Sequence, residues 1–431
     1  MKRSIIWFKT DLRLHDNETL VKAIKSSDEV IPVYCFDDSQ YTTTPFGLKK
    51  TGSFRTQFLL ESISDLDSEL RKIGSGLIVV RGEPHKELYR LAKYYEVQKV
   101  FSKKEVAYEE KQTETLVEKE LWKIQCSLET FSTSTLYHAE DLPFSIKDIP
   151  DIFTSFRKRI EKESSVRTIF EKPTNIKSPS LPAIELPSLQ SLGLKTETID
   201  CRRAIEFKGG ETEAIKRLNF YLHESHYIST YKETRNGMVG ENYSSKFSAW
   251  LSLGCLSPRE IYYELKKYEA QNTANDSTNW LEFELLWRDY FRFMMKKHRH
   301  QFFLENGIKE KETTLNKHNA ELFEKWKNGN TGNDFIDANM VELKLTGFMS
   351  NRGRQNVASY LCNNLKLDWR YGAAYFEQQL IDYDVCSNWG NWAYLAGVGN
   401  DPRGNREFNI EKQANDYDKL KTYRNLWLSK I

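Results

Sequence analysis

Five short apolar segments separated by helical periodicity fill residues 3 to 132, and no other property limits the fold as tightly. Ser4 to Phe8, Val30 to Phe36, Leu77 to Arg81, Lys99 to Ser102 and Ser127 to Phe131 read as strands. The intervals repeat at three and four residues, most clearly through Phe54, Phe58, Ile63, Leu66, Leu70 and Ile73. Strands alternating with helices make a doubly wound parallel sheet, Rossmann-like in outline. GxGxxG, GxxxxGKS and GxxxxGKT are absent, so no phosphate loop is expected in this part.

The pattern then changes twice. Between Ser132 and Ile205 periodicity fades, and six of the eleven prolines gather at 143, 150, 173, 179, 182 and 187. That composition predicts an ordered connector with one helix from Phe153 to Glu163. From Glu206 onward helices dominate. The expected organisation is an α/β part over 1–132, a proline-rich connector over 133–205 and an all-α part over 206–431.

Within the helical part, Thr346 to Gln413 stands out. It runs TGFMSNRGRQNVASYL, then DWRYGAAYFEQQLIDYDVCSNWGNWAYLAGVGNDPR, and closes on FNIEKQ. Asn351, Arg352, Arg354, Asp382, Asp384 and Asn388 are interleaved with Trp369, Trp389, Trp392 and Tyr394. A core alone would not take so many groups that need partners. Ile336, Met340 and Leu343 mark one helix, Val357, Tyr360, Leu361 and Leu365 a second, and Trp369, Ala373, Phe376 and Leu380 a third. Gly347 ends the first and Asp368 caps the third. The polar groups therefore sit at helix ends. Singly each reads as a cap or ion pair; together they read as a ligand site.

Two more stretches are polar. YKETRNGMVGENYSSKFS, from Tyr231 to Ser248, brings Ser244, Ser245, Lys246 and Ser248 to a helix start, which suits a phosphate. A serine-capped helix after a glycine turn is the alternative. In WLEFELLWRDYFRFMMKKHRH, Glu284, Trp287, Arg288 and Phe291 share one helix face. The plainer alternative is an amphipathic helix with an intrahelical Glu284–Arg288 pair. The basic run Lys296 to His300 reads as a solvated face, with DNA contact as its alternative.

Composition narrows the classes. With 39% hydrophobic and 29% charged residues and no membrane-length apolar run, the chain reads as a soluble protein. Met1 to Phe8 is too short and too quickly polar for a signal peptide. Six cysteines without a CxxC pair fit reduced thiols in the cytoplasm, with no metal cluster. Net charge of +2 neither demands nor excludes nucleic acid. Eight of the ten tryptophans follow Ala249, a skew that fits a domain stacking on flat ligands.

With WFKTDLRLHDN at 7 to 17, TGFMSNRGRQNVASYL, LIDYDVCSNWGNW and GVGNDPR, the whole chain resembles the cryptochrome/photolyase family, most closely its DASH-type cryptochromes. The resemblance implies FAD in the helical domain and blue-light-driven electron transfer. It implies that Tyr231, Ser244, Ser245, Lys246, Phe247 and Ser248 wrap the diphosphate and ribose. Arg288, Asn351, Arg354, Asp382 and Asp384 would border the cofactor, with Asn388 facing flavin N5. Glu284 and Trp287 would bind a cyclobutane pyrimidine dimer flipped from the strand. Arg235, Asn351, Gln355, Tyr394 and Gln413 would line that pocket or touch DNA. Gln355 and Tyr394 are the DASH-type choices, which implies single-stranded DNA as the partner. A folate antenna is implied in the α/β part, with Glu109 of VAYEEKQTE as its carboxylate contact; an exposed helix-start glutamate is the alternative. The implied protein is a monomeric photolyase-like enzyme without metal. The alternatives are a photoreceptor that signals or regulates transcription without repair, and an ordinary flavin oxidoreductase.

One departure accompanies the resemblance. The family's photoreduction chain has three tryptophans, two of them matched by Trp392 and Trp369. The third falls at position 316, which is asparagine. Photoreduction of oxidised flavin is therefore expected to be slow, or to use another donor such as a tyrosine.

Overall fold

The computed structural model describes residues 1–309, 318–402 and 406–429. Asn316 lies outside them. The five expected strands form one sheet: β1 (Arg3–Phe8), β2 (Glu29–Asp37), β3 (Ile78–Gly82), β4 (Lys99–Lys103) and β5 (Ser127–Phe131). All pairings are parallel, in the order β3-β2-β1-β4-β5. In central β1, successive side chains turn to opposite faces. Ile5 and Trp7 join a core with Leu88, Leu91, Val117 and Leu121 of the helices on one side. Ile6 and Phe8 face the other way, into a core continuous with the helical half. This two-sided burial makes the strand apolar throughout.

The connector holds one longer helix, Phe153–Glu163, and otherwise runs extended over both halves. Backbone bonds stitch it down: Ile176 N–H to Ile73, Val30 N–H to Lys177, and Asp200 N–H to Leu345, at 2.8, 2.9 and 3.4 Å. The halves meet along a polar seam. Buried Arg13 donates to the carbonyls of His15, Asp16, Thr133 and Gly254, at 2.8 to 3.1 Å. Asp16 pairs with Arg259 at 2.6 Å, and Glu105 with Arg292 at 2.8 Å. Glu211 accepts the backbone N–H groups of Leu14 and His15.

Caps set where the functional helices begin. Asn275 makes a capping box for Asp276–His298. Asp334–Thr346 stops at Gly347, whose φ of +70° favours glycine. Ser350 caps Asn351–Ser359, Asp368 caps Trp369–Gln379, and Asp384 caps Val385–Leu395. After Ser359 the chain widens into a π-turn, Tyr360–Asn364, where a regular helix was expected; Leu365 N–H reaches back to Tyr360. Among the described residues no helix is long and apolar enough to cross a membrane, no disulfide joins the six cysteines, and no acidic, His or Cys group could hold a metal.

Candidate active site

The Asp276–His298 helix presents Glu284 and Trp287 on one face, as its spacing predicts. The expected Glu284–Arg288 pair does not form. Arg288 instead turns to the seam, donating to the carbonyls of Ser134 and Leu251. Glu284 is bound from elsewhere: Arg235 lies 2.6 Å and the Trp280 indole N–H 3.0 Å from its Oε1. The side chain stays 28% open. Burial pushes this carboxyl above its usual range, against the pull of Arg235 and Trp280. Trp287 stacks on Phe153 at 3.6 Å and 11°, so the connector helix sets its plane. Tyr394 meets it edge to face at 6.0 Å and takes a 3.1 Å hydrogen bond from Arg406.

Arg352 organises the rim beside this pair. It donates to Gln355, Asn236 and Gln413 at 3.0, 3.0 and 3.4 Å, and lies 4.3 Å over the Tyr417 ring. Asn351, the first residue of its helix, is exposed.

A second group lies deeper. Arg354 pairs with Asp382 at 2.8 Å, and Asp382 Oδ1 is buried without a hydrogen bond. Lys246 is buried too, at a φ of +63°, its Nζ 3.2 Å from the Tyr243 ring centre and without a hydrogen bond. Burial pushes its ammonium well below the usual lysine range, with Glu342 opposing. The Tyr243 hydroxyl is likewise buried and unbonded. Unbonded polar atoms collected at one place fit a large polar ligand such as FAD, because each costs stability unless something satisfies it.

The serine-capped alternative fails here: Phe247 occupies the N-cap of the Ser248–Ser252 helix, with no side-chain cap bond. Buried Arg217 shapes the loop instead, bonding the carbonyls of Ser244 and Ser245 at 3.4 and 3.1 Å. Phe247 and Tyr231 are buried, whereas Ser248 is exposed. Asp384 accepts from Ser387 N–H at 2.8 Å; burial would raise its carboxyl, but Arg288 and Arg292 hold it below the usual range. One turn on, Asn388 donates Nδ2 to Ala373 at 3.0 Å.

Trp392 rests on Gly372, one turn beyond Trp369, and touches Phe376 and Trp326 at 5.0 and 6.2 Å. Glu109 is an exposed first-turn glutamate paired with Lys50, whereas neighbouring Glu110 turns inward, its Oε2 unbonded. Burial and then Glu105 push Glu110 up to about 8. The basic run is not a solvated face throughout: Lys297 is drawn to Ile149 and Asp151 at 2.8 and 2.7 Å, pinning the connector. Arg217 and Glu110 carry no site signal in the sequence, because the partners of Arg217 lie in a distant segment and a helix start gives Glu110 no orientation; Arg352 belongs to the expected polar set, but its partner Asn236 does not follow from spacing.

Residues 4–179 match the family model for DNA photolyase, and residues 280–431 that for the FAD binding domain of DNA photolyase. A cryptochrome DASH of Danio rerio is 48% identical, covering 99% of this chain and 83% of its own length. The crystal structure of a Synechocystis sp. PCC6803 cryptochrome superposes with a TM-score of 0.95 at 47% identity, over 99% of this chain and 89% of that one. An archaeal photolyase from Sulfolobus tokodaii, solved with two FAD molecules, gives 0.78 at 28% identity, over 99% and 90%. An FAD-binding helical domain beside a photolyase-type sheet defines a flavoprotein of the photolyase class. Within that class, the chain belongs to the cryptochrome/photolyase family, among its DASH-type cryptochromes.

Proposed function

We propose that this chain is a blue-light-dependent photolyase that splits cyclobutane pyrimidine dimers in single-stranded DNA, working as a monomer in the cytoplasm. The observation that carries the reading is Glu284: Arg235 and Trp280 hold its Oε1, while 28% of the side chain stays open on the helix it shares with Trp287. The helical half would hold FAD, which when bound would supply the electron that opens the dimer and would take it back.

The residues of the chain do the rest. Trp287, fixed by Phe153, receives the flipped bases by stacking, and Glu284 accepts their N–H. Lys246 and Tyr243 would donate to the cofactor and Asp382 Oδ1 would accept from it, these being the buried atoms without a hydrogen bond. Asn388 commits its Nδ2 to Ala373, so that its carbonyl oxygen would be the group offered to a bound flavin. An amide there supplies no acidic proton, which suits an anionic reduced flavin. The Arg352, Gln355 and Gln413 rim is polar and returns little for pulling bases from a duplex, hence the preference for single strands. Glu109 would border a folate antenna in the α/β part, which would supply light harvesting.

The test is purification in the dark, an absorbance spectrum, and dimer loss from single-stranded and duplex oligonucleotides with and without blue light. Loss in light, faster on single strands, is expected. Equal turnover on both substrates would remove the single-strand preference. No loss with fully reduced flavin would favour a photoreceptor.

A further inference from the structure

Asn316 leaves Trp369 without its usual next station, and the structure offers another. Trp369 meets Trp389 edge to face at 5.8 Å, both rings being 5% exposed. The Trp389 indole N–H donates to Glu377 Oε2 at 3.2 Å. The Tyr383 phenol faces the same carboxylate. Arg55 sits 4.5 Å over the Tyr383 ring and donates to the Glu377 carbonyl at 2.9 Å. Lys50 is the other charge facing Glu377. A buried carboxylate between two oxidisable rings is costly, and neither the flavin shell nor the substrate rim uses it.

We propose that Tyr383 is the terminal electron donor in flavin photoreduction, reached from Trp369 through Trp389, with Glu377 as proton acceptor. The inference rests on the flavoprotein reading above. An oxidised Trp369 takes one electron from Trp389, which takes one from Tyr383. The phenolic O–H bond breaks as the electron leaves, and its proton moves to the Glu377 carboxylate. The products are a neutral tyrosyl radical, neutral Trp389 and protonated Glu377. Arg55 over the ring opposes positive charge there, so electron and proton depart together. An external thiol then supplies one electron, and Glu377 returns the proton.

The test is a blue flash on the holoprotein with oxidised FAD, followed by transient absorption and electron paramagnetic resonance. The wild type forms a neutral tyrosyl radical. Tyr383→Phe loses it and shows only recombining tryptophan radicals. Glu377→Gln keeps an acceptor for Trp389 but takes no proton, so the tyrosyl signal is lost with Tyr383 in place. Tyr371→Phe, which alters the half-buried tyrosine stacked on His318 at 3.6 Å, leaves the signal unchanged. A tyrosyl signal that survives Tyr383→Phe, or disappears in Tyr371→Phe, overturns the proposal. Wild-type photoreduction through tryptophan radicals alone also overturns it and leaves the flavoprotein reading standing. A chain whose spectrum contains no flavin ends both.

Discussion

The Arg235 guanidinium lies 2.6 Å from Glu284 Oε1, joining a short helix after the connector to the long central helix. Replacing it frees the carboxylate to turn away from the substrate side. Hydrogen bonds to charged groups contribute ~1.5–3 kcal/mol, so Arg235→Met is expected to slow repair by roughly ten- to hundredfold. Flavin content should stay at the wild-type level. Dimer loss per absorbed photon measures the first and absorbance the second.

Lys246 is buried without a hydrogen bond. Lys246→Met removes a buried amino group that has no hydrogen bond, so the flavin-free protein should melt at a higher temperature. The same change deletes a donor to the cofactor and should weaken FAD binding by roughly tenfold or more. Calorimetric titration with FAD and thermal unfolding of the flavin-free chain measure the two opposite effects. Loss of both stability and binding would contradict this.

Glu342 accepts the Tyr423 hydroxyl at 2.6 Å, and burial pushes its carboxyl from 4.5 up to about 7, against that bond and the charges of Lys246 and Arg354. The folded chain therefore keeps a proton that the unfolded chain releases. Its stabilising contribution is complete below the unfolded value and is lost as pH rises through about 7. Glu342→Gln keeps the Tyr423 bond and should flatten this decline. Urea unfolding at a series of pH values would detect it.

Gly372 leaves no room for a methyl group, because a Cβ there would strike the Trp392 ring. Gly372→Ala should destabilise by ~1–3 kcal/mol through overpacking despite the better helix propensity of alanine. Denaturant unfolding gives the value, and a shift in tryptophan emission would locate the strain at Trp392.

Asn316→Trp restores the residue type expected at that position. Photoreduction of oxidised flavin should become faster with thiol as reductant, and the flash-induced radical should move from tyrosine to the introduced tryptophan. An unchanged rate and spectrum would show that position 316 lies off the electron route.

The sheet was legible because apolar segments separated by helical periods leave few alternatives, and β5 and the Phe153–Glu163 helix begin and end where expected. The individual residues of the site were legible as a polar excess among aromatics. Their partners were not. A spacing of four joins Glu284 to Arg288 on paper, yet Arg288 reaches Ser134 across the seam and Glu284 is claimed by Arg235. Likewise Arg217 reaches the Ser244 and Ser245 carbonyls, and Arg352 reaches Asn236. Local pattern reports helix faces; it does not report which distant loop arrives at them.

The seam that buries Arg13, Asp16, Glu105, Arg259 and Arg292 also decides what can be taken apart. Cutting the chain into its α/β and helical pieces would strand at least Asp16 and Glu105 on one fragment and Arg259 and Arg292 on the other, each shaped for a partner no longer there. The sheet is therefore no detachable cartridge that could be swapped between flavoproteins. Any lineage that exchanged one half would have had to rebuild the joint in the same step.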